Sequence, residues 1–379
     1  MKDWEKNWTK FKKTLPHQNY PFSKRNWGTS LHSLCSYSGK LKPSLTHHLV
    51  DTFSKEGDVL MDPFSGSGTV ALEAGLQNIS TISFDISDMA VAITNAKVNK
   101  IDPVKINNII ETLDKKIQTT LTKKNFKIPK ITVGFNKEIA EYFHIDTMKE
   151  LVVARDFFLE TKNLKDPNWC LLFSSLLHVL HGNRPYALSR RSHPLTPYAP
   201  QGDFIYKNVV EHIKVKAMKS INEKQRLNIK KGKVYKHDIL EKWPVKRKSV
   251  DVVITSPPFV SSTRFYMTNW MRFWLAGWEK DDFEEASQKF IEQKQIKSLD
   301  SVYTDIFKNL LPVMKKNGVV VFHVGKNKKT DMGKELSNID FKGFQLYDRF
   351  IEDTSLLEMH GIKDKGSTVE HQYLVYISE

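Results

Sequence analysis

The chain has 379 residues, a formal net charge of +15 and an isoelectric point near 9.4. This length suits one large domain with an insertion, or two domains, and it is enough to bury a real core. The excess of positive charge favours a polyanionic partner, nucleic acid first, although lysine scattered over the surface is an alternative explanation.

The composition also excludes several classes of protein. The two cysteines, Cys35 and Cys170, provide neither a disulfide framework nor a set of zinc ligands, so we expect no metal and a reducing, cytoplasmic environment. Residues 1–4 are polar and unlike a signal peptide, and no apolar run approaches transmembrane length. We therefore expect no association with a membrane.

Two segments precede the first predicted strand. Residues 1–30 are basic and aromatic, and we favour a strap that packs on the core over an arm that contacts nucleic acid. Residues 31–56 contain Lys40 and then Pro43, which suits the first position of a helix. The apolar residues of that predicted helix fall on one side, and they are Leu45, Leu49, Val50 and Phe53.

Residues 57–74 predict a short strand, a bend with Gly66 and Gly68, and the start of a helix. Glycine lets the backbone turn tightly and approach a ligand, and a helix N-terminus presents free N–H groups to it. A nucleotide-like cofactor is therefore expected, with a plain strand-to-helix turn as the alternative. The absence of a lysine after Gly68 excludes a P-loop, and Ala71 excludes the full G-x-G-x-x-G fingerprint.

Residues 79–87 predict a second strand that ends in Asp85, about twenty residues after the glycines. An acidic side chain at this place can accept hydrogen bonds from both hydroxyls of a ribose. The alternative is a helix cap, because Ser87 and Asp88 precede a helix predicted over 89–99. We favour the ribose contact.

Residues 100–230 interrupt the alternation of strands and helices. Pro103 is predicted to end the preceding helix, and a lysine-rich linker is predicted over 115–130. Two helical blocks follow, over 136–162 and 167–181, and the second is so apolar that it should be buried.

The loop after the second block combines basic and aromatic residues with two prolines. Arginines and aromatics suit phosphate contact and base readout, although an ordinary surface loop is the alternative. Its candidate nucleic-acid contacts are Arg184, Arg190, Arg191 and His193. Residues 206–231 then predict a long basic helix, for which a solvated face is the alternative.

Strand-like runs return after this block, at 234–238, 249–254, 318–324, 344–351 and 373–377. Strands that alternate with helices predict a doubly wound parallel sheet. The fold class is therefore α/β, with a mainly helical insertion between strands two and three. The i, i+4 spacing of Trp270, Trp274 and Trp278 predicts an aromatic helix face, which we assign to the core.

The fourth strand runs into Ser256, Pro257, Pro258 and Phe259. Ligands of such sheets lie beyond the carboxyl ends of the strands, so this tetrapeptide should lie beside the glycine bend. The Ser256 hydroxyl and the Pro257 carbonyl can accept from an exocyclic amino group, and the prolines fix φ. Phe259 can stack on a base, while a proline-rich turn is the alternative.

Together these motifs resemble those of the amino-group DNA methyltransferases. Residues 61–69 resemble their motif I, 256–259 their catalytic motif IV, and 37–43 their motif X. The resemblance implies a Rossmann-like class I methyltransferase sheet and S-adenosylmethionine as the cofactor. It implies cofactor contacts by Lys40, Asp62, Pro63, Phe64, Gly66, Gly68, Thr69, Asp85 and Asp238. A solvated Lys40, a core Phe64 and a structural Asp238 are the alternatives.

Serine at the first position of motif IV is usual in the cytosine-N4 branch, whereas Asp or Asn is usual in adenine-N6 enzymes. The resemblance therefore implies N4 methylation of a flipped-out cytosine in double-stranded DNA, with Arg264 on a phosphate. A restriction–modification system would add a separate cognate endonuclease as a partner. The alternatives are adenine-N6 methylation, methylation of an RNA base, and a DNA-binding protein without turnover.

The expected domain organisation is one methyltransferase domain in two parts, 1–100 and 232–379. Residues 101–231 form the insertion, and the α-type motif order of the family places target recognition between the two motifs. The block here splits strands two and three, earlier than that order usually has it. Target recognition by 101–231 is therefore a hypothesis.

Overall fold

The computed structural model describes residues 2–24, 26–37, 39–123, 125–133, 138–179, 204–259, 265–289, 299–327, 330–353 and 369–379. One seven-stranded sheet runs through them. Its strands are β1 (Val59–Asp62), β2 (Ser80–Asp85), β3 (Gly232–Lys236), β4 (Val250–Thr255), β5 (Met314–Lys326), β6 (Phe344–Asp353) and β7 (Glu370–Ser378).

The strand order across the sheet is β3-β2-β1-β4-β5-β7-β6. The first five of these strands are parallel, and β7 is antiparallel to both β5 and β6. Because the order reverses between β1 and β4, a crevice opens beyond their carboxyl ends, where such sheets bind ligands. The glycine bend follows β1 and the Ser-Pro-Pro-Phe segment follows β4, so the fold brings them to this crevice, and the predicted fold class is confirmed.

Helices cover both faces of the sheet. They are α1 (Asp3–Thr14), α2 (Pro43–Phe53), α3 (Thr69–Leu76), α4 (Asp88–Val98), α5 (Pro103–Leu121), α6 (Ile145–Glu160), α7 (Pro167–Val179), α8 (Val209–Arg226), α9 (Phe265–Thr268), α10 (Trp270–Leu275), α11 (Lys280–Lys289), α12 (Leu299–Leu310) and α13 (Met332–Ser337). Within the described ranges, no helix combines the length and the apolar character needed to cross a membrane.

The segment predicted as a lysine-rich linker over 115–130 is helical up to Leu121, so that prediction was wrong for its first part. Pro103 does not only end one helix; it opens α5, which continues to Leu121. The Asp102 side chain accepts from the N–H groups of the first turn, which caps the helix. The apolar residues of α5 recur every three or four positions and are buried, and they are Ile106, Ile110, Leu113 and Ile117.

Between β2 and β3 the described chain is helical, as expected from the sequence. α7 packs against α4 and α8, and α5 packs against α6, so the inserted helices share one apolar cluster with α4 and α10. Two lysines of the basic helix α8 are not simply solvated. Lys216 donates to the Ser33 carbonyl, and Lys224 donates to the carbonyls of Ala96 and Lys97 at the end of α4.

The N-terminal segment packs on the sheet, as favoured from the sequence. Trp8 and Phe11 of α1 are buried against Tyr373 of β7, and the Trp8 indole N–H donates to Asp348 at 2.8 Å. Two of the three predicted tryptophans are core, since Trp270 and Trp274 are fully buried in α10, whereas Trp278 follows the end of that helix and is partly buried.

Candidate active site

The glycine bend is closed by its own backbone. Gly66 and Gly68 have φ of 47° and 69°, values that favour glycine. The Gly68 N–H donates to the Ser65 carbonyl at 2.7 Å, and the Ser65 N–H donates to the Phe84 carbonyl at 2.9 Å. Gly68 caps α3 without a side chain, so the N–H groups of the first turn face the crevice with the positive end of the helix dipole.

Asp85 holds the bend from the neighbouring strand. Its Oδ2 accepts from the Gly66 N–H and its Oδ1 from the Ser87 N–H, each at 2.9 Å. Burial raises the pKa of Asp85 to about 6, although these backbone donors oppose the rise. Each carboxylate oxygen keeps a further lone pair, so the side chain can still accept from the two hydroxyls of a ribose. Asp85 therefore stabilises the glycine bend and is also a candidate to bind the cofactor.

Two residues of α4 that sequence reasoning missed lie under the bend. The Lys97 ammonium donates to the Ser67 carbonyl at 2.5 Å, and the whole residue is buried. Burial, followed by the charge of Lys40, lowers the pKa of Lys97 to about 7. A Cβ on Gly68 would lie 2.6 Å from Thr94 Oγ1 and 2.9 Å from Thr94 Cα, so this helix fits against a glycine.

Asp62 connects the glycine bend to strand β4. Its Oδ1 accepts from the Thr255 hydroxyl at 2.6 Å and from the Phe64 N–H at 3.1 Å. Burial raises the pKa of Asp62 to about 7, and the charge of Asp85 adds to the rise. Pro63 is buried and Phe64 is partly buried against the apolar cluster on one face of the sheet. The ends of β1 and β4 are thus tied by a hydrogen bond between side chains.

The helix start and the motif X segment complete the surroundings of the bend. Thr69 is buried, and its hydroxyl lies 3.2 Å from that of Ser67. Lys40 donates to the His32 carbonyl at 2.9 Å. A Cβ on Gly66 would lie 3.4 Å from the ring of Tyr37, which in turn contacts Phe265 with 5.0 Å between centroids. Tyr37 was not assigned a role from the sequence. It contacts both the glycine bend and Phe265, which follows the Ser-Pro-Pro-Phe segment in the chain.

Asp238 lies at the end of the next strand. The His237 N–H donates to the Asp85 carbonyl at 3.0 Å, which fixes the end of β3 to the end of β2. Asp238 is partly exposed, and its Oδ1 accepts from the Leu240 N–H at 2.9 Å. This turn supports the structural interpretation of Asp238 and leaves its second carboxylate oxygen for a ligand.

The Ser-Pro-Pro-Phe segment begins directly after β4. Ser256, Pro258 and Phe259 are partly exposed, while Pro257 is buried. Ser256 Oγ lies 3.4 Å from Nδ1 of His323, a residue of β5 that sequence reasoning missed. The register pairs Thr255 with Phe322, so the next residues on each strand, Ser256 and His323, are neighbours.

The crevice suits a nucleotide-like cofactor. The N-terminus of α3, the two glycines and the carboxylates of Asp62 and Asp85 lie at the carboxyl ends of β1 and β2, and Gly68 has no room for a side chain. Backbone donors and carboxylate acceptors are the groups that bind a nucleoside with polar substituents. No group of His, Cys, Asp and Glu in the described part of the chain has the arrangement of a metal site.

The predicted nucleic-acid contacts cannot be placed in this way. They lie outside the described residues, and they are Arg184, Arg190, Arg191, His193 and Arg264.

The order of the sheet, with its antiparallel β7 and the glycine bend after β1, defines a class I methyltransferase fold. The family described as DNA methylase matches residues 4–96. The chain is also 28% identical over 155 residues to the Type II methyltransferase M.MjaII of Methanocaldococcus jannaschii. That match spans 36% of this chain and only 28% of the relative.

Two solved structures have related but distant shapes. TrmN from Thermus thermophilus is 12% identical, with a TM-score of 0.37 over 93% of this chain and 53% of that one. A SAM-dependent methyltransferase from Methanosarcina mazei is 8% identical, with a TM-score of 0.35 over 87% of this chain and 96% of that one.

Residues 4–96 match the DNA methylase family, in agreement with the resemblance of the motifs. The match supports S-adenosylmethionine as the cofactor, as the motifs predict. The matched residues include the glycine bend and Asp85, so the family match and the geometry fall on the same part of the molecule. The assignment to the cytosine-N4 branch stays a prediction.

Proposed function

We propose that this protein transfers a methyl group from S-adenosylmethionine to the exocyclic N4 of a cytosine in double-stranded DNA. The observation that carries the proposal is the contact between the glycine bend and the start of the Ser-Pro-Pro-Phe segment. The Thr255 side chain, one residue before Ser256, bonds to Asp62 of the cofactor bend at 2.6 Å. A base at Ser256 and a cofactor at the bend would therefore meet in one crevice.

The residues of the catalytic segment suit the activation of an amino group. The exocyclic nitrogen is a poor nucleophile because its lone pair is delocalised into the ring. Acceptors at its two hydrogens favour a pyramidal nitrogen with a free lone pair, and Ser256 Oγ and the Pro257 carbonyl are the two candidates. Phe259 can stack on the base. Bound S-adenosylmethionine supplies the sulfonium methyl group.

The target base must leave the duplex to reach this segment, because its amino group is stacked and paired inside the helix. The net charge of +15 favours a polyanion. The residues between β2 and β3 remain our candidate for target recognition, together with the predicted contacts at Arg184, Arg190, Arg191, His193 and Arg264. A role in a restriction–modification system with a separate nuclease, in the cytoplasm, belongs to the same proposal.

Expression of the chain in a methylation-deficient host, followed by mass spectrometry of its DNA nucleosides, tests the proposal. We expect a new N4-methylcytosine peak. An N6-methyladenine peak would keep the crevice and overturn the base assignment. No modified base in DNA or RNA, from protein that binds the cofactor, would leave a DNA-binding protein without turnover.

A substitution at the catalytic segment tests the residue assignment. Ser256→Ala should remove nearly all methyl transfer and leave the affinity for S-adenosylmethionine within about twofold, because Ser256 lies beyond the cofactor bend. Ser337→Ala, which removes a hydroxyl on the distant helix α13, is the matched control and should keep full activity. A fully active Ser256→Ala protein would show that the serine has no part in the reaction.

A further inference from the structure

His323 lies beside the catalytic serine, and the function proposed above gives it no task. Strand β5 is the parallel neighbour of β4, and its register brings His323 next to Ser256. Nδ1 of the imidazole lies 3.4 Å from Ser256 Oγ. This is long for such a hydrogen bond, but bonds in catalytic sites often tighten only when substrate binds.

The environment of His323 keeps its imidazole neutral. The residue is 4% exposed, and burial lowers its pKa well below the ordinary value. The neighbouring His371, with 4.6 Å between ring centroids, and His17 oppose protonation further, while the charge of Glu352 favours it less strongly than burial disfavours it. A neutral imidazole carries one N–H and one acceptor nitrogen.

The carboxylate of Glu352, which influences the pKa of His323, accepts hydrogen bonds from other residues. Glu352 Oε1 accepts from Nε2 of His17 at 2.8 Å and from the Gln18 side chain, and Oε2 accepts from the Tyr373 hydroxyl. Tyr373 is the cross-strand partner of His323, with 5.2 Å between ring centroids. The imidazole of His323 is therefore held by packing against Tyr373, and Glu352 does not pair with it.

Among the described residues, the ring nitrogens of His323 have one hydrogen-bond partner, the Ser256 hydroxyl. Within the described ranges, its buried Nε2 has no hydrogen-bond partner. The Ser256 hydroxyl lies near the other ring nitrogen, Nδ1. If Nε2 carries the proton, the lone pair of Nδ1 faces that hydroxyl.

We propose that His323 is the positioning residue of Ser256: its Nδ1 accepts a hydrogen bond from the hydroxyl, which turns the lone pairs of Oγ toward the exocyclic amino group of the target base. The inference rests on the proposed function. A serine hydroxyl that rotates freely can instead direct its proton at the amino nitrogen and occupy the lone pair that must attack the methyl group. His323 removes that orientation, so Ser256 acts as an acceptor only.

Two substitutions of His323 separate this role from packing. His323→Leu removes the acceptor and should lower kcat about 10- to 100-fold, with KM for the cofactor within about twofold. His323→Asn can place its Oδ1 near the position of Nδ1 and should recover most of the lost kcat. A His323→Leu protein that binds the cofactor and keeps the wild-type kcat would overturn the proposal, as would an Asn variant no better than Leu.

A double-substitution cycle asks whether His323 acts through Ser256. Sensitive detection of transferred labelled methyl groups allows the slow variants to be compared. In the Ser256→Ala background, His323→Leu should cause little further loss, because the hydroxyl that it orients is already gone. Losses that multiply would show that His323 acts independently of the serine and would overturn the proposal.

Nitrogen NMR of the histidine side chains tests the hydrogen bond without methyl transfer. The His323 signals are identified by their loss in His323→Asn. We expect the Nε2–H tautomer, and a change in the Nδ1 shift in Ser256→Ala. An Nδ1–H tautomer would overturn the inference even in an active enzyme. If the bond is seen but wild-type protein methylates no nucleic acid, the proposed function has failed and the role of His323 in it fails too.

Discussion

The loop after β1 and the loop after β4 meet at one edge of the sheet, yet they are held differently. The first, over residues 65–68, is fixed from three sides by Phe84 and Asp85 of β2 and by Lys97 of α4. The second begins at Ser256, whose side chain has one long contact, to His323. Its rigidity depends on two adjacent prolines, which fix φ without hydrogen bonds.

This difference indicates that the cofactor half of the crevice is already formed before any ligand binds. A cofactor binds in every turnover, so a rigid bend lowers the entropic cost of binding. In the proposed reaction, the Ser-Pro-Pro-Phe segment receives a nucleotide that has left its duplex, and Pro258 and Phe259 are partly exposed. The hydrogen bond from Thr255 to Asp62 then fixes the start of the Ser-Pro-Pro-Phe segment relative to the rigid glycine bend.

The largest effect is expected at the rigid bend. Gly68→Ala would place Cβ 2.6 Å from Thr94 Oγ1 and 2.9 Å from the Thr94 backbone, at φ 69°. Because the backbone of α4 cannot give way cheaply, we expect cofactor affinity to fall at least about 100-fold. Calorimetric titration with S-adenosylmethionine measures this.

Gly57→Ala is the matched control for backbone strain. Gly57 has φ 94°, and an added Cβ would meet nothing within 4 Å. It should lower stability by about 1 kcal/mol and leave cofactor affinity unchanged. Equal affinities for the two variant proteins would mean that the packing of α4 against the bend does not matter for binding.

The next effect concerns the ionisation of Asp85. Its pKa of about 6 means that the carboxylate is mostly protonated at pH 5 and mostly charged at pH 7. Since the charged form is the better acceptor for ribose hydroxyls, cofactor affinity should rise about tenfold between these values. Asp85→Asn should bind weakly and lose the inflection near pH 6.

Asp62 is the second acid of the crevice, and its pKa of about 7 would add a separate inflection. The titration is therefore repeated in Asp62→Asn, where the inflection near pH 6 should remain. If that inflection disappears with Asp62 rather than with Asp85, the ribose contact is assigned to the wrong residue.

A smaller effect is expected at the link between the loops. Thr255→Val keeps the shape of the side chain and removes the donor to Asp62, which should cost about 1–2 kcal/mol of stability. Both cofactor affinity and kcat should fall, by about 3- to 10-fold each, because the link joins the two halves. Thr52→Val, at a buried threonine that bonds within α2, should change neither. A loss confined to one of the two constants would show that the halves are independent.

The sequence predicts the sheet well because buried parallel strands are runs of apolar residues, and each of the seven was recognised from such a run or from alternation. It predicts the two motifs because their chemistry is local. The start of α5 was missed because Pro103 is compatible with both the end and the first position of a helix, and only the cap at Asp102 decides between them.

The supporting residues of the site could not be predicted in this way. Lys97 at the end of a helix looks like a solvated lysine, and its contact with Ser67 spans 30 residues. His323 lies 67 residues from Ser256 and becomes its neighbour only through the pairing of β4 with β5. Such contacts follow from the arrangement of elements, which no local pattern contains. The signal for His323 was a polar residue among the apolar residues of a central strand.

The smallest effect tests the buried lysine that supports the rigid bend. The pKa of Lys97 is lowered to about 7, so between pH 7 and the ordinary lysine value the unfolded chain binds more protons at this residue than the folded one. The free energy of unfolding should therefore rise with pH in this range, by at most about 1.4 kcal/mol per unit from this group. Lys97→Met should show a weaker rise from pH 7 to pH 9 in urea unfolding, by about 1–2 kcal/mol in total. Lys216 and Lys224, whose pKa values are about 8, titrate in both proteins and cancel in the difference. Equal slopes would mean that Lys97 stays charged beneath the bend, and its bond to Ser67 would then be an ionic support that persists through the working range of pH.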